Sequence, residues 1–303
     1  MKIIVLRLEA GLGNQFFQYA FARNIQDKFG GKIIFDVRPL KRSKIFKPTL
    51  QFFLLNRDVI VNNNTFDKVL IFFLRFWYKS IKIITNTLIT NRNLRKKIRA
   101  MCGLFIQETT RYEKYDYYSP VPVKYISGNW MSELYFKDVK DKVKDELALN
   151  VKLSKVIIDK AKEIESQNSV CVHIRRGDYT NAQWAPKLLV CDFNYYQRGI
   201  DFINKEVKKP VYYVFSNTHE DISWIKENFF FNTNVVYIDM NNKDFEDFFL
   251  MTHCKHFILS NSTYSWWASY LSNSQNKIIV SPKKWNNGQW DMSDIFLSYW
   301  NKL

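Results

Sequence analysis

The sequence predicts an α/β protein with two Rossmann-like domains, each wound around a parallel sheet. Three observations carry this reading. From residue 169 to residue 281, short apolar strands alternate with amphipathic helical stretches, the spacing of βα units. The chain also opens on a strand, a glycine turn, a helix and a second strand, which begins another such layer. Its 303 residues suffice for two domains of ordinary size.

Residues 2–8 read as a buried strand. The apolar start "MKIIVLRL" is too short for a signal peptide and carries Arg7. "EAGLGNQ" (9–15) is a glycine turn, followed by a helix from about Asn14 to Phe29 that Gly30 and Gly31 end. Residues 32–37 are the second strand. Residues 38–125 are less regular and form a basic variable insert. Its longest apolar stretch, residues 68–84, carries Lys68, Arg75, Lys79 and Lys82 on one helical face. Two readings stay open for it: a basic amphipathic helix on an anionic membrane surface, or a core helix with a solvated basic stripe. "KYISGNW" starts as a strand and leads into a charged helix, and residues 154–168 form an amphipathic helix. The expected domains are 1–155 and 156–303.

In the second half, "SVCVHI", "PVYYVFS", "NVVYID", "HFILS" and "KIIVSP" are strands. Helices are expected around "DFNYYQRGIDFINKEV", "EDISWIKENF", "KDFEDFFLMTHCK" and "STYSWWASYLSN". Ligands of such sheets bind just past the strand ends.

The formal net charge is +16, and residues 32–100 hold +13 of it. This is a local patch that favours an anionic partner. A nucleic-acid-binding protein is the rival class, but no recognisable binding motif is present. Cys102, Cys171, Cys191 and Cys254 show no paired spacing and read as reduced thiols in a cytoplasmic protein.

"HIRRGDY" sits at the end of the "SVCVHI" strand. Arg175 and Arg176 there suit a phosphate or diphosphate, which would relieve their mutual repulsion. Asp178 is a carboxylate close by, available as a general base; a surface Arg–Asp ion pair is the alternative. "LSNSTYSWWASY" follows the "HFILS" strand and opens a helix. Asn261, Ser262 and Thr263 read there as capping groups, as a phosphate cradle, or as both. "GLGNQ" lacks a third glycine and a phosphate-loop lysine, yet it offers backbone N–H groups beside Asn14 and Gln15. His253 and His256, with Cys254 between them, could suggest a metal, but no further ligand of the right type lies nearby and the segment reads as the end of a core helix, so no metal is expected. The chain has no D-x-D triplet, so arginines are expected to neutralise a diphosphate leaving group.

Together "GLGNQFFQYAFAR", "HIRRGDY" and "DFEDFFLMTHCKHFILSNSTYSWWASYL" resemble the motifs of the α-1,2-fucosyltransferases of glycosyltransferase family 11, in its bacterial form. One departure is "FSNTHEDISW", where the family often reads F-S-D-D-x-x-W. The resemblance implies a GT-B-like architecture, with the donor in the C-terminal domain and the acceptor on the N-terminal side. It implies GDP-fucose as donor substrate, a galactose-terminated oligosaccharide or lipid-linked glycan as acceptor, inversion, and no metal or other cofactor. It places Asn14, Arg175, Ser262 and Thr263 at the donor and leaves the general base unsettled; with their neighbours Gly13, His173, Arg176 and Asn261 read as donor-binding too, Arg175 and Asp178 are the expected catalytic residues, Asp178 as the base. The expected location is cytoplasmic, with peripheral attachment to the inner face of the membrane through residues 68–84 and no nucleic-acid partner. A fucosyltransferase of other linkage or acceptor is the nearest alternative.

Overall fold

The computed structural model describes residues 2–60, 64–115, 119–229, 231 and 233–303, the side chains of Ile60 and Asp178 excepted. The chain divides into two compact units, Met1–Asn150 and Val151–Leu303. The expected boundary at 155/156 falls instead just inside a helix, Lys155–Ser166, that Ser154 caps through Ile157 N–H.

The first unit runs β1 (Ile3–Arg7), α1 (Leu12–Phe29), β2 (Lys32–Asp36), α2 (Arg38–Arg42), β3 (Val59–Ile60), α3 (Thr65–Leu88), α4 (Arg92–Met101), β4 (Leu104–Ile106), β5 (Val123–Ser127) and α5 (Lys140–Glu146). Its strands pair in parallel in the order β3-β2-β1-β5-β4. α1 is buried almost all round. Its Arg23 makes a two-point bond to Glu146, with Nε at 2.7 Å from Oε2 and Nη2 at 2.8 Å from Oε1. That arrangement satisfies a cation the core could not otherwise hold. Gly31 sits at φ +99°, where a Cβ would come 2.5 Å from the Lys2 carbonyl oxygen. Only glycine lets α1 end and β2 start this close to β1.

The second unit runs α6 (Lys155–Ser166), β6 (Ser169–His173), α7 (Ala185–Leu188), α8 (Phe193–Glu206), β7 (Val211–Phe215), α9 (His219–Asn228), β8 (Val235–Tyr237), α10 (Asp244–Thr252), β9 (His256–Ile258), α11 (Thr263–Leu271), β10 (Ile279–Ser281) and β11 (Asn301–Lys302). All its strand pairs are parallel, in the order β11-β10-β9-β6-β7-β8. The first strand of this unit, β6, therefore lies beside its fourth, β9, where the winding reverses. Every residue of β6 is buried, as a strand covered on both faces requires. Val170, Val172, Tyr196, Ile200, Tyr212 and Val214 form the core on one side. Trp266 and Trp267 are fully buried, and Trp266 Nε1 donates to the Ile295 carbonyl at 2.7 Å. They are core residues. Among the described residues no helix is long and apolar enough to cross a membrane.

Candidate active site

In the second unit the chain leaves β6 as Ile174-Arg175-Arg176 and leaves β9 as Leu259-Ser260-Asn261-Ser262, on neighbouring strands. This is the switch point of a doubly wound sheet, where ligands bind. His173 Nδ1 and Ser260 Oγ lie 2.8 Å apart, joining the two strand ends. His173 is buried, and burial together with the nearby Arg175 charge pushes its pKa down to about 3. The ring is therefore neutral at pH 7 and its tautomer sets which atom donates. His173, expected at the donor, ties the strand ends together.

The adjacent arginines have different neighbours. The Arg175 guanidinium lies 5.2 Å from the centre of the Tyr179 ring. The Tyr179 hydroxyl donates to the Asn261 carbonyl at 3.1 Å, one residue before Ser262, the N-cap of α11. Arg176 instead stacks 3.3 Å from the centre of Trp224 on α9, with its Nε 3.4 Å from Asp221 Oδ1. Asp221 Oδ2 also accepts from Gly177 N–H at 3.2 Å. Gly177 stands at φ +42°, with Asn217 3.3 Å from where a Cβ would project. Arg175 and Arg176, both expected at the donor, thus rest on different elements: Arg175 on the turn after β6, Arg176 on α9.

At α11, Ser262 Oγ accepts from Tyr264 N–H at 3.3 Å, and Thr263 is the first, half-buried residue of the helix. The N–H groups and positive end of this helix are suited to an anion. The Asn261 side chain is committed elsewhere. Its Nδ2 donates to the carbonyls of Leu188 at 2.7 Å and Trp285 at 2.9 Å. It ties the turn before α11 to the segments of Leu188 and Trp285.

The side chain of Asp178 lies outside the described residues; its backbone belongs to a short turn, Gly177–Thr180. Two carboxylates that the sequence reading missed stand in this unit. Burial raises the pKa of Asp221, against the opposing pull of Gly177 N–H and Arg176. Burial pushes Asp247 on α10 up to about 6, against a hydrogen bond from Asn242. Asp221 and Trp224 are the "D-x-x-W" of the divergent stretch, the one signal that could have found them.

In the first unit "GLGNQ" forms the turn after β1. α1 begins at Leu12 with Gly11 as N-cap, so Gly13 and Asn14 are in its first turn and not ahead of it. Asn14 Nδ2 donates to Asn129 Oδ1 at 3.4 Å, beyond the end of the neighbouring strand β5. Gln15 is buried and donates to the Ala10 and Lys47 carbonyls at 3.0 and 2.9 Å. It fastens loops, while Asn14 remains half-buried at the switch point. A cleft of about 660 Å³ opens beside the end of β2, lined by Leu8, Asp36, Arg38, Lys41, Leu50 and Lys68 among others. Asp36 is fixed there by Tyr125 Oη at 3.1 Å and Arg38 Nε at 3.1 Å.

No cluster of three metal-ligating side chains occurs among the described residues. His253 Nδ1 is 2.7 Å from the Phe249 carbonyl within its own helix.

Comparison with known proteins adds to this geometry. The family model described as Glycosyl transferase family 11 matches residues 3–303. An α-1,2-colitosyltransferase of Escherichia coli is 31% identical over 297 residues, covering 94% of this chain and 93% of that protein. A galactoside α-(1,2)-fucosyltransferase 2 of Pongo pygmaeus is 33% identical over 109 residues, 34% of this chain and 30% of that protein. In fold, the chain is similar to a single-residue mutant of Arabidopsis thaliana FUT1 in complex with GDP, at TM-score 0.52 and 10% identity, covering 94% of this chain and 71% of that one.

Proposed function

The chain belongs to glycosyl transferase family 11, and on that premise we propose that it transfers L-fucose from GDP-fucose to the 2-hydroxyl of a terminal galactoside, with inversion. One observation carries the donor half of this reading. Arg175 rests on Tyr179, and Tyr179 is bonded to the residue before the α11 N-cap. A fixed guanidinium and the positive end of a helix thus belong to one switch point, and together they suit a diphosphate.

In the reaction proposed, the acceptor hydroxyl oxygen attacks the fucose anomeric carbon as the bond from that carbon to the β-phosphate oxygen breaks. Negative charge grows on the departing GDP. Arg175 and the α11 N-terminus meet it with groups already held in place, an effect often worth several kcal/mol. Asp178 takes the proton from the hydroxyl. The second unit holds the donor and the first takes the acceptor in this GT-B-like scheme. Arg38 and Lys41 in the first unit's cleft give polar partners for a sugar. No cofactor is required in this scheme, the diphosphate being balanced by arginine and helix.

A second reading, transfer of a colitosyl group, is favoured by the near full-length likeness to the α-1,2-colitosyltransferase. The deciding assay is GDP release from GDP-fucose with lactose and EDTA present, followed by linkage analysis. Release that depends on lactose, survives EDTA and yields a 2-linked fucose is the expected result. GDP binding without fucosyl transfer to any galactoside would move the assignment to another sugar or acceptor.

A further inference from the structure

The helix α3 has two apolar faces, and among the described residues only one of them is packed. Ile71 and Tyr78 point into the core of the first unit with Ile3, Val5 and Ile34, and the Tyr78 ring lies 5.1 Å from that of Tyr125. Arg99 Nε donates to Thr85 Oγ1 at 2.7 Å, and Asn64 and Asp67 form a capping box at the other end. The helix is therefore anchored along its length. On its other side Phe72, Phe73, Phe76 and Ile83 are 61 to 71% exposed, flanked by exposed Phe66 and Ile84. The alternative of a core helix with a solvated basic stripe accounts for the inner face and the basic row, but not for these exposed aromatics. The solvent-facing side is aromatic. The basic row of Lys68, Arg75, Lys79 and Lys82 runs along the edge where the inner and outer faces meet, as their spacing on a helix requires.

We infer that this outer face lies on an anionic lipid bilayer, with the aromatic side chains among the acyl-chain ends and the basic row at the headgroups. Large exposed apolar patches mark interaction surfaces. A helix with aromatics on one side and cations at the rim matches the interface of a membrane in both respects. The charge distribution selects the bilayer over a second copy of the chain. Residues 32–100 carry sixteen Lys and Arg against three acidic residues, and two of those, Asp36 and Asp67, are buried. Self-association through this face would set like charges against each other, whereas anionic headgroups neutralise them. The inference concerns binding to a surface and does not depend on the identity of the donor sugar.

The test uses the full chain and vesicles of phosphatidylcholine with or without phosphatidylglycerol, read by flotation. The variant is Phe72→Gln with Phe76→Gln, both on the exposed face, with circular dichroism and GDP binding as controls for the fold. The wild-type chain is expected to float with the anionic vesicles and to be released by high salt. The double variant is expected to bind at least about tenfold more weakly, with an unchanged spectrum and unchanged GDP affinity. No flotation with anionic vesicles, or equal flotation of the variant, overturns the inference. So does a dimer in light scattering that the double variant dissolves, since a second copy would then cover the face.

Discussion

The guanidinium of Arg176 lies 3.3 Å from the centre of the Trp224 ring, so the second arginine of the pair is part of the packing of α9. Arg175 is left as the arginine proposed to meet the donor. The two positions then separate by experiment. Arg175→Ala is expected to lower turnover by about a thousandfold or more while leaving the melting temperature nearly unchanged. Arg176→Ala is expected to cost about 1–2 kcal/mol of stability, from the lost stacking and ion pair, and to reduce turnover less. Thermal denaturation and kcat/KM measured on both variants check this; near-normal turnover in Arg175→Ala would sink the donor assignment.

His173 makes the second unit sensitive to acid. Its folded pKa, about 3, lies below the ordinary histidine value of 6.5. The unfolded chain therefore binds this proton more readily, and the stability conferred by the neutral ring is complete above pH 6.5. It declines as the pH falls toward 3, by about 1.4 kcal/mol per pH unit at most. His173→Gln removes that slope. Urea titrations from pH 7 to 5 should show the wild-type curve steeper than the variant's.

Asp178 is proposed to take a proton and not to hold the donor. Asp178→Asn is expected to reduce kcat by about a hundredfold to ten-thousandfold with GDP affinity preserved. Calorimetric titration with GDP beside steady-state rates distinguishes this from a binding defect. Equal loss of both would move the base to another carboxylate.

Asp247 acts in the opposite sense to His173. Its folded pKa of about 6 exceeds the usual carboxylate value because burial disfavours the charge. The folded chain keeps this proton longer, so the associated stability is present at low pH and is lost as the pH rises toward and through 6. Asp247→Asn is expected to raise stability at pH 7.5 by about 1–2 kcal/mol and to have little effect at pH 4. Chemical denaturation at the two pH values measures it.

The second unit was legible because its strands are continuous apolar runs with both faces covered. "SVCVHI" and "PVYYVFS" announced Ser169–His173 and Val211–Phe215 within a residue or two. β11 was not, since Asn301 and Lys302 are polar and form a two-residue pairing with β10. In the first unit β3 and β4 were missed, being two and three residues long and too short to show a period. Asn129 could not be linked to Asn14 from sequence, because the two meet only through the β1–β5 pairing. The difference in surroundings between Arg175 and Arg176 was equally hidden. It is set by Trp224 and Asp221, more than forty residues away in the chain.

The bond from His173 to Ser260 closes a loop of 87 residues. β7 and β8 pair on one side of β6 while β9 comes to the other, so this contact carries the loop-closure entropy of a distant parallel pairing. The two motifs read in the sequence become one surface only when β9 has docked. A folding intermediate that lacks β9 would present Arg175 without the α11 end proposed to meet the donor with it. Nucleotide binding would then appear in refolding with the slowest phase, and a saturating nucleotide would act on the assembled sheet alone, slowing its unfolding rather than speeding its formation.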